Sequence, residues 1–170
     1  VTLGGMIKGA GMIHPDMATM LGLITADVII PAGTLQAMLL AATQQTFNCI
    51  PIDGDTSTND TVLMMANGAS GVGLANRSDE AKFAAALEKI CLTLAQAVVR
   101  DGEGVTKFVE IRVSGAQAEK AAHDVAHTLA TSPLVKTALA VTDATSCRIS
   151  AATVPAGVPV AHTPVPPWYR

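Results

Sequence analysis

Apolar residues run almost without interruption from position 19 to 30, TMLGLITADVII, with Asp27 as the break. Continuous rather than alternating apolar character predicts a buried strand. Ahead of it, positions 1–12 are extended and punctuated by glycine, with apolar points at Met6-Ile7 and Met12-Ile13, so two short strand pieces around a turn are expected. Pro15 forbids a helix through His14. From Pro31 the period changes: Leu35, Met38, Leu39, Ala42 and Phe47 recur at helical spacing behind a proline suited to a first turn. A short strand at 49–52 enters a polar run, and 61–66 is a further strand stopped by the turn pair Asn67-Gly68.

A glycine-bearing loop over 71–76 precedes a long helix at 79–99, with Ser78 as its cap and Phe83, Leu87, Ile90, Leu94 and Ala97 on one face. Positions 107–114 alternate: Phe108, Glu110, Arg112 and Ser114 point one way and Val109, Ile111 and Val113 the other, the pattern of a half-buried strand. A helix at 117–130 follows. A second short helix opens at Ser132-Pro133 and leads to a strand at 137–141. Residues 143–170 are rich in proline without a clear period and read as mostly irregular. The elements describe an α/β fold, a mixed β-sheet with covering helices. No repeat is visible.

At 170 residues the chain fits one domain with a substantial core. Hydrophobic residues make up 49% and aromatics only 3%, so that core is aliphatic. The net charge of −3 supplies no basic field for nucleic acid. Charged and polar residues interrupt every apolar window, so no membrane span is expected. Cys49, Cys91 and Cys147 fit no zinc spacing and read as reduced, mostly buried thiols, consistent with a cytoplasmic location. No signal-peptide pattern is read in the first residues, and the chain is expected to open inside a strand with an upstream segment missing.

The chemistry centres on residues 8–27, KGAGMIHPDMATMLGLITAD. A threonine hydroxyl is a poor nucleophile at neutral pH unless a base stands beside it, and one compact base is the threonine's own α-amine. That amine titrates at about 7.7–8.0 and exists only once the preceding peptide bond is cut. Thr19, behind Ala18, is the candidate: a latent nucleophile released when its hydroxyl attacks the Ala18 carbonyl. Ala-Thr is also a common dipeptide, and Thr19 can equally open a strand. In DGDTSTND, at 53–60, three aspartates stand among hydroxyls, but without EF-hand spacing. A turn satisfied by its own side chains is the better reading. In DGEGVTKF, at 101–108, Glu103 is a carboxylate between two glycines, suited either to a substrate ammonium or to a solvated turn. There is no GxSxG elbow, P-loop or HExxH. His14 is left without a role.

The run from Lys8 to Leu21 closely resembles the self-cleavage segment of the ornithine acetyltransferase (glutamate N-acetyltransferase) family of arginine biosynthesis, KGxGMIxPxMATML, which is cut between its Ala and Thr. DGDTSTNDT, DGEGVTKF (DGEGATKF in the family) and SPLVKTAL follow in the family's order. The resemblance covers residues 1–139. It implies Thr19 as nucleophile, Ala18-Thr19 as the cleavage site, and Lys8, Thr19 and Glu103 as substrate contacts. It further implies acetyl transfer from N2-acetylornithine to glutamate through a threonine ester, with no cofactor or metal and with acetyl-CoA as an alternative donor. The expected organisation is 1–18 as the end of an upstream α-chain, 19–140 as the start of a catalytic β-chain and 141–170 as a divergent tail. After KTAL, only Asp143 and Arg148 keep the family's GEDxNWGR-like run. The chain is therefore expected to be truncated, inactive alone, and a partner of the upstream α-chain segment in a hetero-oligomer of cleaved chains. The alternatives are an N-terminal-nucleophile amidohydrolase or aminopeptidase, and a non-catalytic remnant.

Overall fold

The computed structural model describes residues 1–9, 20–50, 59–102, 104–141, 146–153 and 156–157, the side chains of 146 and 147 excepted. The single domain expected from length is replaced by two compact units, which divide the described residues between Val105 and Thr106.

The first unit is built on a three-stranded sheet of order β1-β2-β3, with β1 Leu3–Lys8, β2 Leu21–Ala26 and β3 Thr61–Ala66. β1 pairs antiparallel with β2, and β2 parallel with β3, so the sheet is mixed. A parallel pair needs a crossover; here the crossover contains helix α1, Ala32–Gln45. Its N-cap is Pro31, whose carbonyl accepts the Leu35 N–H at 3.0 Å. The expected strand at 49–52 is not formed over its described part. After α1 the chain tightens into a 3-10 turn at Phe47–Cys49, because buried Thr46 turns its hydroxyl back onto the Ala42 carbonyl at 2.7 Å and Phe47 anchors in the core.

The long helix α2 spans Arg77–Arg100, and its cap is Asn76 rather than Ser78. The Asn76 Oδ1 accepts the Asp79 N–H at 3.0 Å, satisfying one of the open first-turn donors. Its buried stripe is Phe83, Leu87, Cys91, Ala95 and Val98. The first four of these pack with Ile24, Ala26 and Val28, with Ala42 and Phe47, and with partly buried Leu3, Ile7, Val62 and Met64. Leu87 and Ile24 are completely buried, each side chain contributing about 1.5–3 kcal/mol through burial.

The sheet covers only one of its faces with this core. Gly22, Ile24 and Ala26 are buried while Leu21 and Thr25 are exposed, so the apolar run of β2 is not enclosed on both sides. The register carries this across the sheet. Met6, Leu21, Leu63 and Met65, between 47% and 68% exposed, share the outer face. Beyond β2, Ile29 makes a single parallel bridge to Gly73. The turn predicted at Asn67-Gly68 is present, with Gly68 at φ 69°.

In the second unit, α3 Glu119–Thr131, α4 Pro133–Ala140 and α5 Ser146–Thr153 pack on one another around Val125, Val135, Ala138 and Ala152. Residues 107–114 form no strand: Ile111 and Val113 are half-buried, but Val109 on the same expected face is exposed, and among the described residues no strand pairs with them. Residues 137–140 continue α4 instead of starting a strand. Ser132 caps that helix at the Val135 N–H, and Lys107 Nζ donates to the terminal carbonyls of Leu139 and Ala140 at 2.5 and 3.4 Å. The region after 143, expected to be irregular, contains α5. Among the described residues no helix is long and apolar enough to cross a membrane.

Candidate functional site at one end of the sheet

Of the residues singled out from sequence, Lys8 is described; Ala18, Thr19 and Glu103 lie outside the described residues, as does His14. Lys8 ends β1, opposite Leu21 at the start of β2, and Leu21 is in turn opposite Thr61 at the start of β3. One rung thus aligns Lys8, Leu21 and Thr61. Met20, the residue that follows Thr19 in the sequence, immediately precedes this rung.

Met20 is held at both of its backbone groups. Its N–H donates to Asp60 Oδ1 at 2.9 Å, and its carbonyl accepts the Thr61 N–H at 2.9 Å. Sequence reading treated DGDTSTND as a turn that satisfies itself. Its last aspartate instead reaches a backbone amide forty positions earlier in the chain. The available signal was the position of Asp60 directly before a strand, but the partner depends on register, which the sequence pattern does not reveal.

The end of α2 meets the same corner. A Cβ built on Gly9 would stand 2.8 Å from Val98 Cγ1, and one on Gly5 2.9 Å from Leu94 Cδ1. Glycine is required at position 9 by this close approach of β1 to α2. Val98 lies one helical turn, about 5 Å, before Asp101, so the DGEGVTKF run starts at the end of the sheet that carries Lys8. There the Val105 N–H donates to the Gly102 carbonyl at 3.1 Å, and Gly104 takes φ 73°.

Of the two cysteines whose side chains are described, Cys91 is buried as expected and Cys49 is exposed. Burial pushes the Cys91 thiol up to about 11, which leaves almost no thiolate at neutral pH. Among the described residues no three metal-ligating side chains cluster.

A model of the ArgJ family matches residues 1–166. The chain belongs to the ArgJ family. An ArgJ relative, the arginine biosynthesis bifunctional protein ArgJ of Ruegeria pomeroyi, is 58% identical over 140 residues, which cover 82% of this chain and 34% of that protein. The mitochondrial ArgJ protein of Neurospora crassa is 53% identical over 153 residues, covering 89% of this chain and 33% of that protein. The crystal structure of ArgJ from Bacillus halodurans superposes with a TM-score of 0.76 at 43% identity, covering 82% of this chain and 66% of that one. The α/β architecture is therefore that of ArgJ, and the chain spans about a third of the length of the curated ArgJ proteins it matches.

Proposed function

We propose that this chain is the part of an ArgJ acetyltransferase that contains the self-cleavage bond and the nucleophile. Thr19 Oγ attacks the Ala18 carbonyl carbon, the Ala18–Thr19 C–N bond breaks as the hydroxyl proton passes to the Thr19 nitrogen, and the resulting ester is hydrolysed by water. Ala18 becomes a carboxylate and Thr19 a free N-terminus. The Thr19 α-amine, partly unprotonated at neutral pH, then takes the hydroxyl proton as Oγ attacks the acetyl carbonyl of N2-acetylornithine. Ornithine leaves with the returned proton, and the glutamate amine removes the acetyl group from the threonine ester. Lys8 and Glu103 hold substrate, Glu103 by pairing with an ammonium. The chemistry uses no metal; acetyl-CoA is an alternative acetyl donor.

The observation that carries this reading is the convergence at one end of the sheet. Lys8, the amide that follows Thr19, and the last turn of α2 before DGEGVTKF all meet there. The apolar outer face, with Met6, Leu21, Leu63 and Met65 exposed, is the surface on which the upstream α-chain segment docks. That segment brings the oxyanion donors, without which acyl chemistry slows by about 10²–10³ per donor. The complete enzyme is then a hetero-oligomer of cleaved chains.

The test is to co-produce the chain with the upstream segment of the Ruegeria pomeroyi relative and add N2-acetylornithine. A species beginning at Thr19 should gain the mass of one acetyl group and lose it when glutamate is added. Discharge by water at the same rate with or without glutamate would make the protein a hydrolase. Absence of any acetylated species would overturn the nucleophile assignment.

A further inference from the structure

We propose that Asp60 is a positioning residue for the acyl-transfer nucleophile, acting through the peptide unit that joins Thr19 to Met20. This rests on the reading of Thr19 above. The Met20 N–H and the Thr19 carbonyl belong to one planar unit with a C–N bond of about 1.33 Å. Fixing the N–H therefore fixes the plane in which the Thr19 carbonyl lies.

Two neighbouring residues make the clamp. Asp60 Oδ1 accepts the Met20 N–H at 2.9 Å, and the Thr61 N–H donates to the Met20 carbonyl at 2.9 Å. Thr61 is in turn anchored by the parallel ladder to Leu21, and its hydroxyl donates to the Asn59 carbonyl at 3.2 Å. The regular β1/β2 ladder begins at Leu21, one residue too late to supply this acceptor. An ionised carboxylate makes a stronger bond to an amide than a neutral acceptor does.

The consequence depends on the cut. Before cleavage Thr19 is tethered on both sides; afterwards its only covalent hold is the Thr19-Met20 peptide. Loss of the clamp should therefore slow acetylation more than cleavage. A displacement of 1 Å at a reacting atom costs about 10²-fold.

The experiment compares Asp60→Ala, Asp60→Asn and Thr19→Ala in the co-produced protein, reading the maximal rate of acetylation, the half-saturating N2-acetylornithine concentration and the hydrogen exchange of the Met20 amide. Asp60→Ala should lower the maximal rate about 10- to 100-fold, with half-saturation unchanged and the amide exchanging quickly. Asp60→Asn keeps an acceptor oxygen and should retain both rate and protection. Should Asp60→Ala fail to fold, Asp60→Asn alone decides: the rate must follow protection of the Met20 amide, and a rate that changes without it, or stays constant after protection is lost, overturns the proposal. An Asp60→Ala protein that acetylates at the parental maximal rate also overturns it. Acetylation that survives Thr19→Ala would instead sink the nucleophile reading, whatever Asp60 does.

Discussion

Replacing Gly9 by alanine puts a single methyl group into the contact between β1 and α2. Its carbon would lie 2.8 Å from Val98 Cγ1, 3.6 Å from Cγ2 and 3.8 Å from Cβ. Carbon atoms prefer about 3.5–4.0 Å, so the first contact is too short by about 0.7 Å or more. Val98 cannot easily rotate away, because a β-branched residue in a helix is confined to one main rotamer, and this side chain is buried. The strand end and helix must separate instead, at a cost of about 1–3 kcal/mol for overpacking. The same change at Gly33 is an internal control: a Cβ there meets nothing, and the residue lies inside α1. Gly33→Ala should stabilise by about 0.4–1 kcal/mol. Urea unfolding of the co-produced protein, followed by far-UV circular dichroism, measures both. Val98→Ala should relieve the Gly9→Ala clash, giving a favourable coupling of about 1 kcal/mol in the double-mutant cycle. If Gly9→Ala is as stable as the parent, or its loss is untouched by Val98→Ala, the close approach is not what makes glycine necessary.

Asn76→Ala should cost about 0.5–2 kcal/mol by removing the α2 cap, whereas Ser78→Ala should stay within about 0.5 kcal/mol; urea midpoints separate the two. Cys91 has a folded pKa of about 11 against an ordinary 9.0. The folded state therefore holds its proton more tightly, and the associated stability is full below pH 9 and lost as pH rises toward 11. Unfolding measured across that window should show the fall, and Cys91→Ala should remove that part of it. At neutral pH brief alkylation and peptide mapping should label Cys49 and spare Cys91 until urea is added.

Elements whose evidence is local were legible in the sequence: β3, stopped by Asn67-Gly68, and the helices with a clear apolar stripe. Pairing was not. Residues 107–114 have the alternation of a strand, but alternation describes a surface and does not supply a partner. A strand was expected at 137–141, yet the cap at Ser132 and the Lys107 bonds to Leu139 and Ala140 continue the helix. The unbroken apolar run of β2 was read as burial on both faces, whereas in this chain α1 and α2 cover one. At the candidate site, the motif singled out Lys8, and the structure places that residue at the end of β1, on the rung with Leu21 and Thr61. The role of Asp60 toward Met20 could not be read from a motif, because a contact across forty positions follows from register alone.

The central claim is that Thr19 becomes an N-terminal nucleophile, and the most direct measurement is the intact mass of the purified chain. Produced alone, the chain should remain mostly uncut. Produced with the upstream segment, it should give a dominant species running from Thr19 to Arg170, and Thr19→Ala should abolish that species. A Thr19→Ala protein that still splits after Ala18, or a parental chain that stays whole in the presence of a bound upstream segment, would contradict the account.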